Sequence, residues 1–174
     1  MYLLLKLVRE NPFMRAVVAR EVQQLLVRGE LPVKTVYYGT CFLNQLEFSG
    51  EDKEFAGELV RFYFSLFRKY ATLTLQAEHA KSKRKNGKNS APKEDPNATR
   101  LKLLSAILTG INRALPFGEG GFRRRKSGVV SEETLGAQLD TLYRIAHCEN
   151  WACAVQAMLL LFAIASAHRR IPAG

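Results

Sequence analysis

Residues Leu103 to Phe117 read LLSAILTGINRALPF, and the reading of this stretch decides the fold class. Leu103, Leu104, Ile107, Leu108 and Ile111 repeat at helical spacing and form one broad apolar stripe, the mark of a helix buried along one face. Arg100 and Lys102 lead into the stripe and Pro116 stops it. Ser105, Thr109, Gly110, Asn112 and Arg113 are unusual inside such a helix. Glycine costs about 1 kcal/mol against alanine at a helical position, so Gly110 implies a bend or the close approach of another element. Asn112 and Arg113 bring several hydrogen-bonding groups to the end of the helix, within reach of the free carbonyls of a neighbouring turn. The plainer alternative is a helix that tolerates a few polar residues.

Working outward, the same period recurs along the chain. Tyr2 to Arg9 reads as a short helix. Asn11 and Pro12 look like a cap and first turn, opening a helix to Arg28 with Val17, Val18, Val22, Leu25 and Leu26 inward and Gly29 as its stop. Pro32 opens a third helix through Phe48, which makes an antiparallel hairpin with the second. A fourth spans Asp52 to Gln76, with Phe55, Leu59, Phe62, Tyr63, Leu66, Phe67 and Tyr70 as an aromatic stripe. Such a stripe can stack bases, but core packing is the usual reason for it. The signature helix covers Ala98 to Leu115. Ser131 caps a sixth helix to His147, with Leu135, Leu139, Leu142, Tyr143 and Ile145 inward. The last, Asn150 to Arg169, is apolar all round and is therefore expected to be buried on more than one side.

Two segments break this pattern. Residues 79 to 98 have no apolar period, and Lys81, Lys83, Arg84, Lys85 and Lys88 make them strongly basic. They read as a disordered linker, since they cannot bury enough apolar surface to order themselves. Residues 79 to 102 hold eight basic and two acidic side chains, 8 − 2 = +6 of the chain's +10. The second segment, GEGGFRRRKSGVV, carries Arg123, Arg124, Arg125 and Lys126. Its glycines follow no strand and lack the spacing of a phosphate loop. Both clusters are candidate nucleic-acid contacts, and both also suit a solvated loop or a nuclear targeting patch.

Composition narrows the function. The 174 residues are 47% hydrophobic, with 26 Lys and Arg against 16 Asp and Glu. That excess favours a polyanionic partner, nucleic acid before a membrane. Cys41, Cys148 and Cys153 have no metal-ligand spacing and read as reduced thiols. No apolar run reaches the roughly 20 residues a membrane span requires. His79, His147 and His168 converge with no nucleophile or acid in the sequence, and neighbouring His147 and Cys148 point away from each other on a helix. The expectation is a protein with no enzymatic activity, cofactor, metal or small-molecule substrate.

Three stretches carry a resemblance to a known family. LLSAILTGINRALPF is similar to the signature of the CCAAT-binding-factor domain family of nucleolar ribosome-assembly proteins, in which Leu104, Ser105, Thr109, Gly110, Asn112, Arg113 and Pro116 are the matching positions. VAREVQQLLVRGELPVKTVYYGTCFLNQ, from Val18, and LDTLYRIAHCENWACAVQAMLLLFAI, from Leu139, resemble the same family in the same order. Trp151, Ala152 and Cys153 depart from it, standing where the family has a small polar run. The resemblance implies an all-α protein, an α-solenoid of HEAT- or armadillo-like hairpins, in which residues 1–78 and 99–174 form one helical-repeat domain around the basic linker. A globular bundle is the alternative from periodicity alone. It also implies a scaffold in large-subunit (60S) ribosome biogenesis in the nucleus and nucleolus. Its partners would be the second nucleolar complex protein, other pre-60S assembly factors and pre-rRNA. A CCAAT-box DNA-binding transcription factor and a protein-only helical adaptor are the rival functions. The abrupt first helix and uncapped apolar last helix read as a segment of a longer protein.

Overall fold

The computed structural model describes residues 2–28, 30–50, 52–82, 96–118, 132–148 and 150–169; for 75–82, 96, 132–137 and 167–169 it describes the backbone path alone. Among these residues there are seven α-helices and no strand: α1 Tyr2–Glu10, α2 Arg15–Val27, α3 Val33–Leu43, α4 Lys53–Ser82, α5 Pro96–Ala114, α6 Glu132–Ala146 and α7 Trp151–Arg169. A single 3-10 turn, Pro12–Met14, leads into α2.

Consecutive helices pack in pairs, α2 with α3, α4 with α5 and α6 with α7. The pairs are joined to one another through their second helices, since α5 packs against both α3 and α7. The α4–α6 contact repeats the arrangement for the first helices. Helix α5 is thus the centre, and its Leu103, Leu104, Ile107, Leu108 and Ile111 are all fully buried. The aromatic stripe of α4 meets it from the other side of the same pair. Tyr63, Phe67 and Tyr70 are buried there, which makes the stripe core and not a platform for bases.

Close approach of a side chain explains one glycine in the first pair. A Cβ added at Gly39 would lie 2.7 Å from Leu26 Cδ2, so the buried Leu26 side chain of α2 would have to shift. Two ion pairs then fix α2 to the start of α4. Arg20 holds Glu58 with two bonds of 2.9 and 3.0 Å. Arg15 pairs with Asp52, donates to the Glu47 carbonyl at 2.8 Å and lies over the Phe55 ring.

Several sequence-based boundaries need correction. Helix α3 ends at Leu43 and not at Phe48, because the following carbonyls are taken from outside: Arg113 binds that of Leu46 and Arg15 that of Glu47. Asn11 does not cap with its side chain, which instead donates back to the Leu7 carbonyl at 3.3 Å. Helix α4 runs to Ser82 and α5 starts at Pro96, so both ends of the expected disordered segment 79–98 are helical. Proline suits that first position because its missing N–H is unpaired there in any helix. Residues 83–95, with the core of the basic linker, lie outside the described residues, as do Gly29 and Ser131.

Three residues expected inward face solvent: Val17, Leu25 and Tyr143 are 57%, 48% and 57% exposed. The largest departure is α7. It is apolar nearly all round, as read, but the described residues cover it on one side only, with Cys153, Ala157, Leu160 and Ile164 buried and Trp151 and Phe162 exposed.

Candidate interaction surfaces

The signature residues are gathered at α5, where Asn112 and Arg113 tie the helix to its neighbours. Thr109 bonds its own helix, its hydroxyl donating to the Ser105 carbonyl at 2.9 Å. Asn112 reaches α7, its amide donating to the Gln156 backbone carbonyl at 3.1 Å and side-chain oxygen at 2.9 Å. Arg113 reaches the turn after α3, donating to the Leu46 carbonyl at 3.3 Å and lying 6.0 Å from the centre of the Phe48 ring. This is the role the sequence suggested for Arg113, whereas Asn112 reaches the interior of a helix and not a turn. Leu104 is buried among the core residues, and Pro116 stands exposed in the turn that ends the helix.

Gly110 is the most closely approached of the described glycines. A Cβ there would lie 2.5 Å from Tyr63 Cζ and 2.6 Å from Asn44 Oδ1. The Tyr63 hydroxyl donates to that same Asn44 oxygen at 2.7 Å, while the Asn44 amide donates to the Ala106 carbonyl of α5 at 2.8 Å. The end of α3, α4 and α5 are therefore joined by one part-buried polar relay laid across a glycine. Sequence reading flagged Gly110 through its helical cost; Asn44 and Tyr63 gave no such signal, because their contact spans distant positions.

Burial pushes the Tyr63 phenol far above its ordinary value of 10.0, and the nearby Arg113 charge only partly offsets this. The folded state holds this proton more tightly than the unfolded chain does. Its contribution to stability is complete below the unfolded value and declines as pH rises past it. The melting temperature should therefore fall between about pH 9 and pH 11, and less steeply in Tyr63→Phe. Parallel slopes for the two proteins in a pH series of thermal melts would contradict the burial of this hydroxyl.

The basic candidates are placed differently. Lys81 lies in the last turn of α4, described by its backbone only. Lys83, Arg84, Lys85, Lys88, Arg123, Arg124, Arg125 and Lys126 lie outside the described residues. The described surface contains a groove of about 360 Å³ between α3, α5 and α7, with Tyr37, Lys102, Ser105, Thr109 and Asn150 on its walls. No carboxylate, histidine or thiol lines it, so its walls offer no acid–base pair. Asn150 starts α7 by accepting the Cys153 N–H at 3.0 Å, which gives Trp151, Ala152 and Cys153 a regular helix start. Among the described residues no group of His, Cys, Asp and Glu is arranged to hold a metal ion, and no helix is long and apolar enough to cross a membrane.

Known proteins resemble this chain along almost its whole length. Human CCAAT/enhancer-binding protein zeta is 33% identical over 98% of the chain, and the mouse protein matches equally. Protein SLOW WALKER 2 of Arabidopsis thaliana is 31% identical over 97% of it, and Ribosome biogenesis protein NOC1 of Chaetomium thermophilum 29% over 97%. The chain belongs to the CCAAT-binding-factor domain family. No family model matches it. The chain spans 13% of the length of the mammalian proteins and 16% of the plant and fungal ones. It thus corresponds to one segment of these family members, and the segment includes the α5 relay.

Proposed function

We propose that this chain is a non-catalytic helical scaffold acting in assembly of the large ribosomal subunit, in the nucleus and its nucleolus. The observation that carries the reading is the match of 97% of the chain to a segment of a protein named for ribosome biogenesis. The architecture supports it. Three helix pairs stacked through their second helices are what a HEAT- or armadillo-like solenoid requires, and such a stack presents an extended surface to partner proteins. Candidate partners are the second nucleolar complex protein and other pre-60S factors, with pre-rRNA held by the basic segments around Lys81–Lys88 and Arg123–Lys126.

Phosphate contact of this kind is blind to base sequence and sensitive to salt. The logarithm of the affinity falls with the logarithm of salt concentration, with a slope of about 0.9 per neutralised phosphate on duplex and somewhat less on single strands. Replacing Lys81, Lys83, Arg84 and Lys85 together by alanine should weaken RNA binding and flatten that slope. Identical salt titrations for parent and variant would refute the RNA contact. A duplex carrying CCAAT and a scrambled duplex serve as controls for the DNA-binding alternative. Groove readout needs an exposed helix, and the apolar stripe of the family's signature helix, Leu103 to Ile111, is buried between its neighbours.

A further inference from the structure

Helix α7 has two apolar faces, and among the described residues only one has a neighbour. Cys153, Ala157, Leu160 and Ile164 are packed into the core, at 6% exposure or less. On the opposite side Trp151, Val155, Met158 and Phe162 follow one another at steps of four, three and four, and Ala165 continues the series. Trp151 is 77% and Phe162 73% exposed, with Met158 and Leu159 half exposed beside them. A strict alternation of three and four is the seam of a helix that packs lengthwise against one other helix, narrower than the stripe that faces a globular core. No charged residue lies between Trp151 and Ala167. Nothing among the described residues covers the seam.

Size and charge narrow the occupant. The two exposed aromatics offer on the order of 300 Å². With Val155, Met158 and Leu159 the stripe approaches the roughly 600 Å² at which a surface patch marks a binding site. That is less than the ~800 Å² per partner of a stable complex, so apolar contact alone is insufficient and charge has to contribute. A second copy would bring another +10 to a chain already at +10. An acidic partner adds attraction where a second copy subtracts it. We propose that the Trp151–Val155–Met158–Phe162 seam of α7 docks a single amphipathic helix of a different protein, with an apolar seam of matching spacing and acidic flanks. This rests on the scaffold reading for the existence of a protein partner, and is independent of RNA contact.

The chain has one tryptophan, so the seam reports on itself. The probe is a synthetic helical peptide with leucines at the seam positions and glutamates beside them, together with a lysine-flanked counterpart. The glutamate peptide should move Trp151 emission to the blue and shield it from acrylamide. Phe162→Glu should weaken binding on the order of tenfold or more, while the thermal melt stays in place because the side chain is exposed. Unchanged emission, equal binding of the lysine peptide, or a Trp151 already shielded in the free chain would overturn the proposal. In the last case, shielding lost on dilution identifies a second copy, and shielding independent of concentration identifies the chain's own residues. RNA binding by Phe162→Glu, measured in parallel, should equal that of the parent. Loss of peptide binding with RNA binding intact confirms the seam as the site, whereas failure of both parent and variant to bind RNA sinks only the RNA contact.

Discussion

Gly110→Ala should destabilise the protein by about 2 kcal/mol, although alanine is the better helix former. Helix propensity alone favours the change by about 1 kcal/mol. Against it stands a methyl group placed 2.5 Å from the Tyr63 ring and 2.6 Å from Asn44 Oδ1. Neither neighbour can swing aside, because Tyr63 is bonded to Asn44 and Asn44 to the Ala106 carbonyl. Overpacking of a well-packed site costs about 1–3 kcal/mol, and breaking the part-buried relay adds to that. Gly57 in α4 is the natural control, since a Cβ there meets nothing within 4 Å. Gly57→Ala should stabilise, by up to about 1 kcal/mol. Urea midpoints moving in opposite directions are the expected result. Midpoints moving together would show that α5 does not approach α4 this closely. Shortening the ring with Tyr63→Leu should make the pair of changes less costly than their sum.

The second large effect compares one chemical change at two places. Leu108→Ala removes a side chain with no solvent exposure at the centre of α5 and should cost about 2–5 kcal/mol. Leu159→Ala removes the same atoms from the open side of α7, where the side chain is 51% exposed, and should fall within about 0.5 kcal/mol of the parent. Equal losses at both sites in denaturant titrations would mean that the free face of α7 is covered in solution.

These residues also show what the sequence could and could not reveal. Periodicity found the buried stripe of α5, because its polar residues mark the uncovered side. The cost of a helical glycine pointed to Gly110, and the donor-rich Asn112 and Arg113 pointed to neighbouring carbonyls. In α7 the same method failed. Its apolar residues occupy nearly every side, so the pattern gives no direction and implies burial on more than one side, where the described residues cover only one face. The end of α3 was hidden for another reason. It is fixed by Arg15 and Arg113, which lie 32 and 67 positions from the carbonyls they bind. The basic clusters were plain as charge, but charge without a surface to sit on does not define a binding site.

The polar ties of α5 reach both ways, to the turn after α3 through Arg113 and to α7 through Asn112. Repeats that merely lean on one another can slide or peel away singly. Here adjacent residues of one helix hold the turn after α3 and helix α7, so both flanking pairs are tied to α5 by hydrogen bonds as well as by apolar packing. Shifting either pair against α5 therefore means breaking a bond at Asn112 or Arg113.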